Sequence, residues 1–401
     1  MLTHLEIKNF RSCAHVQVRL GQPVIAFLGR NGAGKTNILH AIQLAASLCL
    51  GDAEPPFGLT PRDPKQPVSF RLKFTVSDSE EYEYETLRSA SPTTPEIFNE
   101  SLRCGSSELF SRRGEETIVP NTDLPPGLRI GTRSATLFAL LQLLPETEAR
   151  KQLRLVEEYL RSIAYYSLIQ GFQEHVTGPQ FRGPAAEDYP FIEKSRYERW
   201  KAEFSQGRGK RSVTMRLLHL HLTDKERFSE LKRLVGPDGL GLLSDIRIHE
   251  FPVRALAEKT EGATADTAYA ISFIPAAGVA GAGRPFRYTG LSTGTWRILQ
   301  LLTYLIFDKN TCMLLEQPED CIHPGLLDQV IDILQSYSKN TQLICTTHSP
   351  STINSVGPSG IRLVTVENDK TVVSELNSET IAAAEKYLHN NGTLSEFLDI
   401  L

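Results

Sequence analysis

"VIAFLGRNGAGKTNILHAIQLAASLCL", residues 24–50, runs from an unbroken apolar stretch through a glycine-rich turn into a segment of helical period. A short apolar run without alternation reads as a strand covered on both faces, the kind found in parallel sheets. The turn, "GRNGAGKT" at residues 29–36, fits G-x-x-x-x-G-K-[ST] between a predicted strand and a predicted helix, the context a phosphate loop requires. Gly29, Gly32 and Gly34 let the backbone come close enough for its N–H groups, helped by the helix N-terminus, to cradle phosphates. Lys35 is expected to reach the β- and γ-phosphates of a nucleotide and Thr36 to ligate Mg²⁺.

Outward from this stretch the pattern splits. Before it, "LTHLEIKNF" and "HVQVRL" alternate as strands do; after it come strand-like "VSFRLKFTV" and "EYEYETL". "SATLFALLQLL" and "ETEARKQLRLVEEYLRSIAYYSL" are helical by period, the second with acidic residues early and basic ones late, as the helix dipole favours. Residues 170 to 240 are rich in charge, Gly and Pro and read as helices with long loops. Then strands "DIRIHEFPV" and "TAYAISFIP" lead through a glycine-rich loop, "AAGVAGAGRP", to an alternation: helical "GTWRILQLLTYLIF", strand "CMLLE", helical "GLLDQVIDILQSYS", strands "TQLICTTHS" and "IRLVTV". Alternation of this kind argues for a mostly parallel sheet covered by helices. Internal repeats and sustained heptads are absent, so long coiled-coil arms are not expected.

A chain of 401 residues with 40% hydrophobic and 22% charged residues has the balance of a folded protein of two or three packed units. Its net charge of −4 removes any argument from overall charge for nucleic acid or an anionic membrane. The six cysteines are scattered without a CxxC pair, which suggests buried thiols rather than a disulfide framework or a zinc cluster. "MLTHLEIKNFRS" lacks the features of a signal peptide and "LFALLQLL", residues 138–145, is too short to span a bilayer, so a cytoplasmic protein without membrane partners is expected.

A metal at Thr36 needs a carboxylate at a neighbouring strand end, and "CMLLE" delivers Glu316 there. Attack on a γ-phosphate further needs a group that orients and deprotonates water, most naturally the next residue. That residue is Gln317, whose amide can hold water but cannot take its proton at neutral pH. About thirty residues on, "LICTT" ends in His348, an imidazole at the edge of the same predicted sheet. Ser292, Gly294 and Thr295 of "LSTGTWR" open a helix, which is either a second anion site or an ordinary N-cap.

GRNGAGKT, LSTGT, LLEQPE and THSP, in this order, together with "LTHLEIKNFRS" and "PEDCIHPGLLDQV", resemble the ABC-type ATPase heads of the RecF/SMC group. The likeness extends to stand-alone ATPases of that group and to the ATPase half of OLD-family proteins. It covers about residues 1–50 and 285–360; the chain between matches only in style. The resemblance implies an α/β fold, an ABC-type head with a mixed sheet and helices carrying a mostly helical inserted lobe. It implies three parts: 1–125 with the phosphate loop, 126–240 the helical lobe, and 241–401 with signature, acidic strand and His switch. It implies ATP and Mg²⁺ as ligands, Arg11 near the nucleotide, Asn31, Gly32, Ala33, Gly34, Lys35, Thr36 and Asn37 around the phosphates, and Thr36 with Glu316 on the metal. His348 would sense the γ-phosphate, and Leu291, Ser292, Gly294 and Thr295 would cap the nucleotide of a second subunit, making a homodimer or a higher oligomer.

The departure is Gln317, where the group's pattern reads Glu. It suggests a hydrolysis-impaired form, natural or substituted, that holds ATP longer. The usual glutamine loop has two weak candidates, Gln43 and Gln66. About fifty residues follow His348, too few for a TOPRIM-type nuclease domain, so any DNA cutting is expected from a separate effector protein. Two functions compete: an ATP-dependent regulator of such an effector in bacterial anti-phage defence, and a RecF-like repair ATPase binding DNA through "GRGKR" (207–211) and "SRRG" (111–114).

Overall fold

The computed structural model describes residues 1–51, 57–76, 80–89, 96–120, 122, 124–125, 127–167, 191–205, 212–252, 267–278, 282–287, 290–337, 341–390 and 392–400. The chain forms two compact units, one of Met1–Ser167, Asn310–Glu319 and Ile331–Leu401, the other of Leu168–Lys309 and Asp320–Val330.

In chain order the elements are β1 (Leu2–Phe10), β2 (Cys13–Arg19), β3 (Val24–Leu28), α1 (Lys35–Leu50), β4 (Val68–Thr75), β5 (Glu81–Arg88), β6 (Ile97–Cys104), β7 (Ser107–Arg113), β8 (Glu116–Ile118) and β9 (Leu128–Arg129). Helices α2 (Thr136–Leu143) and α3 (Glu148–Arg161) precede β10 (Ile163–Ser167). Next come β11 (Ile192–Glu193), α4 (Lys194–Ser205), α5 (Val213–Thr223), α6 (Lys225–Val235), β12 (Leu243–Pro252), β13 (Thr267–Pro275) and α7 (Thr293–Asp308). The last part holds β14 (Cys312–Glu316), α8 (Pro324–Tyr337), β15 (Gln342–Thr347), α9 (Pro350–Ser355), β16 (Ile361–Glu367), β17 (Lys370–Glu375), α10 (Ser378–His389) and α11 (Leu394–Ile400).

Among the described residues the first unit has two sheets. One is antiparallel, in the order β2-β1-β4-β5-β6-β7-β8-β9. Its strands β4 and β5 bury every second residue, so one face carries Phe70, Leu72, Phe74, Tyr82 and Tyr84 into the core and the other carries charge. The other sheet, β10-β14-β15-β3-β16-β17, is parallel except for its last pair. Here β14 and β15 are buried almost continuously, as unbroken apolar runs require.

One expectation is corrected. The helical reading of "SIAYYSL" fails: α3 stops at Arg161, and Ile163–Ser167 pairs in parallel with β14, Ile163 opposite Cys312 and Ser167 opposite Glu316. Isoleucine and paired tyrosines favour a pleated, half-buried surface, and the Gln43 side chain accepts the Tyr165 N–H at 2.9 Å. The two units also divide the chain at places other than the three expected parts. Residues 126–167 belong to the unit of the phosphate loop, because Leu137, Leu140, Leu153, Val156 and Leu160 share one core with α1. Residues 241–309 belong to the other unit, where β12 and β13 form a three-stranded antiparallel sheet with β11. Strands β6 to β9 and β17 were not anticipated. "GRGKR" and residues 168–190 lie outside the described residues. No helix among those described is long and apolar enough to cross a membrane.

In the second unit Arg216 is 1% exposed and its guanidinium forks onto Asp308 at 2.8 and 3.2 Å. The rings of Phe204, Tyr304 and Phe307 lie 5.1–5.3 Å from its centre, so the charge is paired in plane and faced by π-clouds above. Removing one member of such a pair strands the other charge in the interior. Arg216→Ala is expected to lower stability by about 3–5 kcal/mol, read as a shift of the urea midpoint at unchanged slope.

Candidate nucleotide-binding site

The parallel register brings three chain ends to one edge: Glu316 pairs opposite Thr346, and Thr347 opposite Leu28. The phosphate loop leaves β3 and enters α1 through Gly34, whose φ of 100° is left-handed. A Cβ there would meet Thr371 Oγ1 at 2.0 Å and Ser12 Oγ at 2.7 Å, so only glycine fits. Thr371 also donates to the Ala33 carbonyl at 2.9 Å, pinning the loop from β17, while Asn31 and Gly32 stay exposed at its tip.

Lys35 is 7% exposed, and its ammonium donates to the Gly29 carbonyl (2.8 Å), the Arg30 carbonyl (3.1 Å) and His348 Nε2 (2.8 Å). An ammonium has donors only, so the imidazole accepts at Nε2 as the neutral ring. Burial pushes the Lys35 pKa down, while the carboxylates of Glu319 and Glu316 pull it up. Thr36 donates to Glu316 Oε1 at 2.6 Å, and the Tyr165 hydroxyl donates to the other oxygen of Glu316. Thus Lys35, Thr36, Glu316 and His348, four residues singled out from sequence, meet at one edge.

Gln317 follows the strand with φ 42°, a left-handed value that is uncommon for a side chain other than Gly, and its N–H reaches the Thr346 carbonyl at 3.1 Å. Such backbone outliers concentrate at functional sites. Glu319 accepts from the Thr347 hydroxyl at 2.7 Å and from the His348 N–H at 2.8 Å through Oε1, tying the acidic loop to the His348 loop.

Arg11, at the tight β1–β2 turn with φ 49°, sends Nη1 to Asn37 Oδ1 (3.2 Å) and His40 Nδ1 (2.6 Å). The His40 ring stacks on Phe57 with centroids 3.5 Å apart, and Tyr165 meets both rings edge-on. Arg11 and Asn37 are therefore joined beside the loop. The Gln43 side chain accepts the Tyr165 N–H, and the backbone carbonyl of Gln66 accepts from the Asn9 amide.

The signature segment, described within its own unit, is built as an N-cap. Ser292 Oγ accepts the Thr295 N–H at 3.1 Å at the start of α7, and Leu291 is buried. A Cβ on Gly294 would meet the Cys321 carbonyl at 2.5 Å, so this helix start is held against the loop after the acidic strand. Arg297 adds a 2.5 Å bond to the Asp320 carbonyl. Cys321 is exposed, unlike the other five thiols. Arg112 of "SRRG" is 2% exposed and donates to the carbonyls of Gly114, Ser134 and Ile130, which removes it as a phosphate contact. Sequence reading missed Tyr165, His40 and Glu319. Only Glu319 left a signal, a second carboxylate in "EQPE".

A family model described as "AAA domain, putative AbiEii toxin, Type IV TA system" matches residues 24–354. The chain belongs to this family. Locally it is 49% identical over 47 residues to the DNA replication and repair protein RecF of Streptomyces avermitilis, a match covering 12% of this chain and 13% of that one. It is 49% identical over 55 residues to the OLD nuclease of Thermus scotoductus, 14% of this chain and 10% of that one. The chain thus spans about a tenth of the length of the curated relatives it matches. In fold it is similar to an SMC head bound to the C-winged helix domain of ScpA, with a TM-score of 0.50 and 14% identity over 94% of this chain and 98% of that one. The ABC-type head expected from the motifs is the fold found, shared with SMC heads, while the likenesses to RecF and to the OLD nuclease are local.

Burial, and secondly the Arg11 charge, lower the His40 pKa from the ordinary 6.5 to about 4. The unfolded chain therefore takes up a proton on His40 between pH 6.5 and 4 that the folded chain refuses, so stability held above pH 6.5 is lost as pH falls through that window. Arg11→Ala is expected to move the His40 midpoint upward from about 4, read from imidazole resonances in an NMR titration.

Proposed function

We propose that this chain binds ATP with Mg²⁺ and hydrolyses it slowly, as the head of a homodimer or higher oligomer that regulates a separate effector, such as a nuclease or toxin, in bacterial anti-phage defence. The observation carrying this reading is the meeting of Lys35, Thr36, Glu316 and His348 at the mouth of a phosphate loop. Thr36 and Glu316 offer hard oxygen donors 2.6 Å apart, a set that suits Mg²⁺, which when bound would draw charge from the phosphates. Lys35 would exchange its bond to His348 for phosphate oxygens, releasing the imidazole to report on a γ-phosphate. Backbone N–H groups at the start of α1 would hold the remaining oxygens.

Gln317 stands where a base is wanted, and its amide can orient water without taking a proton. Ser292, Gly294 and Thr295 would cap the nucleotide of a second copy, an arrangement that gives the exposed N-cap hydroxyl a ligand. The effector reading draws on the toxin named in the family description and on the nuclease named among the relatives. Phe138 and Leu143 on α2 are exposed apolar side chains that a partner could cover. The RecF likeness favours a second reading, a DNA-binding repair ATPase, although Arg112 is unavailable to phosphates.

Single-turnover hydrolysis and solution mass with ATP and Mg²⁺ test the proposal. Gln317→Glu should hydrolyse about 100-fold faster or more, while the parent chain persists as an ATP-bound assembly of at least twice the monomer mass. Failure of both forms to bind or hydrolyse ATP would sink it. A salt-sensitive shift of duplex DNA by the pure protein would favour the repair reading.

A further inference from the structure

We propose that Glu319 is the carboxylate that takes the proton of the attacking water during the slow hydrolysis of ATP, an assignment that rests on the function proposed above. The acidic groups at this edge differ in what remains available. Glu316 has both oxygens engaged, by Thr36 and by Tyr165. Gln317 has no basic oxygen at neutral pH. Glu319 uses Oε1 for the Thr347 hydroxyl and the His348 N–H, while its Oε2 is enclosed and has no hydrogen-bond partner.

A buried carboxylate oxygen left without a partner is costly and calls for a physical reason. Here the orphan belongs to a side chain locked by two donors from the His348 loop, and its charge is felt by Lys35. Gln317 at φ 42° and Pro318 precede Glu319, whose bonds to Thr347 and His348 hold it at the strand edge. A fixed acceptor beside the lysine that binds the phosphates has the preorganisation a proton acceptor needs.

In the step itself the water oxygen bonds to the γ-phosphorus while the bond from that phosphorus to the β,γ-bridging oxygen breaks. The electron pair of the broken bond leaves with ADP. One water proton passes to Glu319 and on to solvent, and the other stays on the phosphate.

Glu319→Gln keeps an oxygen for Thr347 and His348 yet cannot accept the proton, so the substitution separates chemistry from positioning. The test is a double-mutant cycle in the full chain: parent, Glu319→Gln, Gln317→Glu and the double variant, each measured for ATP affinity and single-turnover rate. Expected is a drop of about tenfold or more in the parent background with ATP affinity held within about threefold, and a change of less than about threefold in the Gln317→Glu background, where a second base is at hand. Equal losses in both backgrounds, or a lost ATP affinity, would show that Glu319 only holds the loop, and a parent-like rate in Glu319→Gln would dismiss it. If none of the four forms hydrolyses ATP, the ATPase reading fails and this assignment with it; a hydrolysing parent with an indifferent Glu319→Gln overturns this assignment alone.

Discussion

Parallel pairing of β14, β15 and β3 is the constraint on which the site depends. A parallel ladder sets all carboxyl ends on one side, and the register fixes their depth: Glu316 opposite Thr346, Thr347 opposite Leu28. From that alignment Thr36 in the first turn of α1 can reach Glu316, and Lys35 can reach His348. In open sheets of this type the crevice beyond the carboxyl ends is where ligands bind. Slipping β14 by one residue would reverse the faces of its side chains and turn Glu316 away.

Left-handed backbone also occurs near this edge. Asn9 and Arg11 at the β1–β2 turn have φ values of 58° and 49°, Gln317 has 42° and Gly34 has 100°. Each non-glycine outlier is held by specific bonds: Asn9 by the Asp63 and Gln66 carbonyls, Arg11 by Asn37 and His40, Gln317 by the Thr346 carbonyl. Conformations that cost energy persist where surrounding contacts over-determine them. Asn9 lies near the end of β1, Arg11 in the turn after it and Gln317 just after β14, so the packing that stabilises them also fixes where Arg11 and the acidic loop can point.

Much of this was legible in the sequence because the signals were local. The phosphate loop announces itself through glycine spacing and its strand-turn-helix context, and β14 and β15 through unbroken apolar runs. Tyr165 was not legible: its strand follows α3 after a single residue, Ser162, and its partner Glu316 is 151 residues away. Helical period in "EARKQLRLVEEYLR" carried the reading past the true helix end, which long-range pairing with β14 decides. The extents of the units have a related origin, since Leu137 of α2 and Leu153 and Val156 of α3 are buried in the core shared with α1, and no composition shift marks that.

Charge within the site has its own logic. Lys35 is buried, which favours loss of its proton, yet two carboxylates act in the opposite direction. Close by, His40 is held neutral by burial and by Arg11, so the groups around the loop are sorted into a cation that donates, a neutral ring that accepts, and carboxylates in different states of engagement. Neutrality of His40 frees its Nδ1 to receive Arg11, and that bond in turn orients the guanidinium over Asn37. A protonated His40 would repel Arg11 and undo the arrangement, and the Phe57 ring stacked on it is part of the burial that keeps the imidazole uncharged.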